Sequence, residues 1–104
     1  MPTVTFEPEA EDELEAAMAW YEQRVAGLGL RLVLAIDEAV THLAALPQAC
    51  SEVPRVRASV VVRRARVAGF PYSVAFVELE HELRVIAIAH DKRKPGYWLK
   101  RLDR

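Results

Sequence analysis

The residues with the most chemistry to offer sit near the C-terminal end, in His90-Asp91-Lys92-Arg93-Lys94-Pro95-Gly96-Tyr97-Trp98, with Arg63, Arg64 and Arg66 in an earlier run. An imidazole such as His90 titrates near neutrality and can give or take a proton. Guanidinium groups form planar forks that match phosphate or carboxylate oxygens. Burying them unpaired is costly, so Arg63, Arg64, Arg66 and Arg93 are expected to touch a phosphate or an acidic partner. The alternative is pairing with the acidic first helix inside the fold. Tyr97 can stack on or orient a base. Trp20 and Tyr21 are neighbours on one predicted helix and point about 100° apart, so at least one lies off the core stripe. Core packing or contact with a partner is the expectation for them, and for Trp98.

Other chemistries lack their residues. His42, His81 and His90 are far apart, without the thiol or carboxylate spacing of a metal site, and there is no glycine-rich phosphate loop, so no metal or other cofactor is expected. Cys50 has no recognisable histidine partner, and Ser59 and Ser73 lack the turn that exposes a hydrolase nucleophile. Arg55 and Arg57, in a polar connector, read as ordinary solvated charges.

The elements that must position the C-terminal residues can be read from periodicity. Thr3-Val4-Thr5-Phe6 is β-prone and short, which suits an edge strand. Pro8 fits a first helical turn, and Glu7, Glu9, Glu11 and Asp12 place negative charge at its positive end. Leu14, Ala17, Met18, Tyr21 and Val25 then recur every three or four residues, with Glu11, Glu13 and Glu15 on the remaining face. Gly27-Leu28-Gly29 turns the chain. Leu28, Leu32, Ala35, Ile36, Ala39, Leu43 and Leu46 make a second stripe, which Pro47 ends. Three strand-like runs follow a polar connector, over 59–67, 71–79 and 82–89, with turns at Gly69 and Glu80-His81, and predict an antiparallel meander. In the last run, strict alternation sets Leu83, Val85, Ala87 and Ala89 against Arg84, Ile86, Ile88 and His90. The tail beyond residue 90 predicts a final turn or short helix held by Tyr97 and Trp98.

The expected whole is one α+β domain over 1–104, an N-terminal strand and helical hairpin packed on a C-terminal antiparallel meander, since neither half alone covers its apolar faces. A chain of 104 residues with 52% apolar and 28% charged side chains has room for one core. A single cysteine excludes an internal disulfide, no apolar run is long enough for a membrane helix, and the acidic start does not resemble a signal peptide. A cytoplasmic protein with no membrane partner is the expectation. The net charge of −1 hides a two-sided chain: residues 1–52 carry 2 basic and 10 acidic side chains, residues 53–104 carry 12 basic and 5 acidic. Such a distribution steers polyanions toward one surface, or provides complementary faces within the fold or an oligomer.

Ala19-Trp20-Tyr21-Glu22, Gly27-Leu28-Gly29, Val62-Arg63-Arg64, Phe70-Pro71-Tyr72-Ser73 and the His90-to-Trp98 segment, in that order, resemble the RelE/ParE superfamily of bacterial type II toxin–antitoxin systems. The resemblance implies a toxin wrapped and suppressed by a cognate antitoxin in a hetero-oligomer. The long hairpin and Phe70-Pro71-Tyr72 resemble the ParE branch, which implies growth inhibition through DNA gyrase. The His90-x-x-Arg93-x-Pro95-x-Tyr97-Trp98 ending is similar to that of the RelE branch, which implies metal-independent cleavage of mRNA on the ribosome. There His90 would supply acid or base, Arg64 and Arg93 would clamp phosphate, and Tyr97 would hold a base. With only Lys92, Lys94 and Lys100, the chain departs from the dense lysine set of typical ribosome-dependent nucleases. A degenerate, non-toxic antitoxin-binding protein is the third possibility.

Overall fold

A computed structural model describes residues 2–54 and 60–103. Arg55, Arg57 and Ser59 lie outside the described residues. Strand β1 (Thr3–Phe6) leads into helix α1 (Pro8–Arg24), then α2 (Leu28–Ala45), a short 3-10 turn, β2 (Ser51–Glu52), β3 (Val62–Arg66), β4 (Tyr72–Glu78), β5 (Glu82–His90) and a second 3-10 turn over Leu99–Asp103. Pro8 begins α1, with Glu9 and Glu11 in its first turn. The helix stops at Val25, whose extended φ of −142° takes it out of the helical path. This is why Val25, expected in the buried stripe, is exposed; Met18 also lies at its outer edge, and Leu46, the residue just after α2, is exposed too.

Two glycines make the hairpin possible. Gly27 adopts φ 88°, a left-handed conformation that costs other residues. The Glu22 carboxylate accepts the amide hydrogens of both Gly27 and Gly29, each at 2.9 Å, and so closes the turn. A Cβ at Gly29 would sit 2.8 Å from the carbonyl oxygen of Met18 and 3.0 Å from Glu22 Oε1. Gly29 thus sets how closely α2 approaches α1. Gly29→Ala should destabilise the protein by about 1–3 kcal/mol, the usual cost of overpacking. A urea midpoint unchanged from the parent would show that the helices spread freely.

The strands form one sheet in the order β1-β5-β4-β3-β2. Strands β3, β4 and β5 are the expected antiparallel meander, β1 adds to β5 in parallel, and β2 pairs briefly with β3. The sheet is therefore mixed. The hairpin covers one face, where Leu32, Ile36, Leu43, Val74, Phe76, Leu83 and Val85 are buried together. The other face holds Val62, Ala75, Val77, Ile86 and Ala87, closed by Trp98, which is 3% exposed. The tail is thus pinned by an aromatic residue, as its composition suggests.

Strict alternation fails in β5. Ala75 pairs with Ala87 but Phe76 pairs with Val85, so Ile86 is an extra residue, a β-bulge. Leu83 and Val85 face the hairpin, Ile86 and Ala87 both face away, and Ile88 returns to the hairpin side. The one-residue slip changes the face of everything after it. His90 therefore lies on the hairpin side, beside Tyr72, whereas the alternation read from the sequence sets it opposite Leu83 and Val85.

Candidate functional site

The C-terminal half of β5 outruns its neighbour. Strand β1 pairs only as far as Phe6 opposite Val85, after which the outer backbone of β5 would be bare. Three groups fill in for the missing strand. The Glu7 amide donates to the Val85 carbonyl at 2.9 Å, Arg101 donates to the Ile86 carbonyl at 2.9 Å, and the Ile88 amide donates to Glu13 at 3.0 Å. Glu13 and Arg101 also pair with each other through two contacts, at 3.0 and 3.1 Å, and the Tyr97 hydroxyl donates to Glu13 at 2.6 Å. Arg93 stacks on Tyr97 at 3.7 Å and lies 3.8 Å from Glu13. One carboxylate from α1 thus ties together the sheet edge and the whole C-terminal tail.

Burial, then the hydrogen bond and charge of Glu13, push the Tyr97 phenol far above its ordinary range. For Arg101, burial opposes the charge, but the hydrogen bond and charge of Glu13 more than offset it, so its pKa rises. Glu13 was expected on the outer face of α1, but it is mostly buried, its side chain 16% exposed. Its position three residues after Ala10 and four before Ala17, both buried, was the signal available: those spacings share one helix face. Arg101, like Arg84, which pairs with the buried Glu7 at 3.2 Å, stood outside the expected site.

The predicted arginines separate. Arg63 donates to the Cys50 carbonyl at 3.0 Å and lies 3.9 Å from Glu52. Arg66 pairs with Asp91 at 2.5 Å. Both have partners inside the fold, though neither is the acidic first helix. Arg64 is exposed on the face away from the hairpin, on the same side of β3 as Val62. It borders a small cleft, about 100 Å³, with His90, Arg93 and Tyr97. All four residues of the nuclease-like set therefore reach one end of the sheet and line one cleft, but the cleft is small. That volume is below the range usual for small-molecule sites. Tyr97 is committed to Glu13, and the His90 Nδ1 accepts the Lys92 amide at 3.0 Å.

On the hairpin side of His90, a wider groove of about 460 Å³ runs between α1 and the end of β5. Tyr72 meets His90 edge-on at 5.0 Å, and Tyr21 meets Trp20 at 5.0 Å and Phe70 at 5.2 Å. Tyr21 packs against the core, whereas Trp20 remains 50% exposed with Arg24 over its ring at 3.5 Å. A third groove, about 420 Å³, lies on the opposite sheet face, where Val61 and Leu79 are exposed beside Arg84 and Arg101. Cys50 is buried, and desolvation raises its thiol pKa, which suppresses thiolate reactivity. Among the described residues, no three of His, Cys, Asp and Glu gather in a group able to hold a metal ion, and no helix is long and apolar enough to cross a membrane.

A family model described as ParE toxin of type II toxin-antitoxin system, parDE, matches residues 4–95. Among solved structures, the chain superposes on one titled "Chromosomal ParDE TA system from P. aeruginosa", with a TM-score of 0.74, 22% sequence identity, and coverage of 86% of this chain and 96% of that one. That likeness is one of fold. No curated protein sequence matches the chain.

Proposed function

As this chain belongs to the ParE toxin family of type II toxin–antitoxin systems, we propose that it inhibits growth in the cytoplasm through DNA gyrase, and that a cognate antitoxin suppresses it in a hetero-oligomeric complex. The observation that carries the choice of target over ribosome and mRNA is the state of the nuclease-like set. RNA cleavage by its own 2′-hydroxyl needs a base, a phosphate clamp and a proton donor around one reacting phosphate. Here Tyr97 is held by Glu13, Arg93 lies flat on Tyr97, and the cleft touching Arg64 is small. Tyr97 serves the architecture of the tail first.

The antitoxin is a peptide partner, and the groove on the tail-bearing sheet face supports its seat. That groove offers exposed Val61 and Leu79 beside the guanidinium groups of Arg84 and Arg101. An amphipathic segment that lays its apolar face on Val61 and Leu79 complements it.

Expression of the chain alone should abolish colony formation, and co-expression of the antitoxin encoded beside it should restore growth. In cell-free assays the purified protein should block gyrase supercoiling and leave ribosome-bound mRNA intact. Ribosome-dependent cleavage lost in both His90→Ala and Arg64→Ala would reverse the assignment in favour of the nuclease. Harmless expression of folded protein would make it a non-toxic antitoxin-binding protein.

A further inference from the structure

We propose that the groove between α1 and the end of β5 binds a nucleotide, with the base against Trp20, Tyr72 and His90 and the phosphate on Arg93. On its helix side α1 lines the groove with the small Ala16 and Ala17 between Glu13 and the aromatic pair Trp20 and Tyr21. Its volume, about 460 Å³, falls in the range of small-molecule sites. Its walls are aromatic and set edge to face, Trp20 against Tyr21 at 80° and Tyr72 against His90 at 79°. Such packing leaves ring surface available to a flat guest, and a base stacks on aromatic rings whatever its identity.

Trp20 distinguishes this groove from ordinary core packing. An indole is a large apolar group that a fold gains by burying, yet this one stays half exposed at the groove wall. Arg24 covers one face of the ring, so a guest uses the other face or the edge.

The charges favour an anion at the groove's mouth. Glu13 lies at its base, but its carboxylate is compensated by two contacts to Arg101 and by the Tyr97 hydroxyl. Arg93 lies 3.8 Å from the same carboxylate and lines the groove with a side chain 54% exposed, so one glutamate stands against two guanidinium groups and the balance is cationic. A flat aromatic slot beside an exposed guanidinium complements a base joined to a phosphate. That chemistry is shared by free nucleotides and by single-stranded nucleic acid.

The test is titration of the full-length protein with AMP, oligothymidylate and oligouridylate, followed by the two indole N–H resonances in heteronuclear NMR. The Trp20 signal should move and that of the buried Trp98 should not. Trp20→Ala and Arg93→Ala should each weaken binding by about 5- to 100-fold, Trp20→Phe should recover part of the loss, and Arg64→Ala should bind as the parent does. Binding of AMP assigns the groove to free nucleotides. Binding of the oligomers alone assigns it to single strands. Any of three results overturns the proposal: no probe moves Trp20, affinity survives in Trp20→Ala, or the loss appears in Arg64→Ala instead. Gyrase inhibition by the same variants is read independently, so failure of this site leaves the toxin assignment standing.

Discussion

Glu13→Ala is expected to lower the free energy of unfolding by about 3–5 kcal/mol, the cost of breaking a buried ion pair and leaving one charge behind. Arg101, 14% exposed, would lose both of its carboxylate contacts, and the Ile88 amide would lose its acceptor. The second loss matters because an unpaired buried N–H costs about 1–3 kcal/mol by itself. Urea unfolding at neutral pH measures the effect. Replacing both members of the pair, as Glu13→Leu with Arg101→Leu, should recover a large part of the loss, since no charge is then left unpaired. A single-variant loss below about 1 kcal/mol, the range of exposed pairs, would mean that water already reaches the carboxylate.

Trp98→Ala should cost a similar amount, about 3–5 kcal/mol, by emptying the space between the tail and the sheet face. The indole lies over Val62, Ala75, Val77, Ile86 and Ala87, so its removal exposes a continuous apolar surface. Limited proteolysis should cut this variant in the tail well before the parent is cut. Both substitutions loosen the same tail, so the combined variant Glu13→Ala, Trp98→Ala should be destabilised by less than the sum. Additive effects would show that the aromatic and ionic attachments act independently.

Much of the architecture was legible because hydrophobic period reports it directly. Pro8, Gly27 and Pro47 mark real helix boundaries, and the three later runs are real strands. The parallel placement of β1 was not legible, because pairing direction depends on a path through two helices that local pattern does not carry. The bulge at Ile86 was hidden for a related reason. Ile86, Ala87 and Ile88 are all apolar, so nothing in their types marks which of them is the extra residue.

Of the candidate site, the resemblance names His90, Arg64, Arg93 and Tyr97 as one set, and the structure places them at one end of the sheet. Their engagements were not legible, because those depend on Glu13 and Arg101, distant in sequence and each ordinary when read alone. A glutamate in an acidic helix looks solvated until the sheet edge it caps is known. Similarly, the arginines of β3 look equivalent, but pleating and neighbouring acceptors give Arg63 and Arg66 partners within the fold and set Arg64 at the small cleft.

The first strand lies against the last, and Glu13 meets a partner 88 residues further on. Contacts of such long range make folding slow and postpone it until most of the chain exists. A nascent polypeptide whose Trp98 and Arg101 are still inside the ribosome has neither residue in place. The last edge of the sheet is therefore sealed only once Trp98 and Arg101 have emerged.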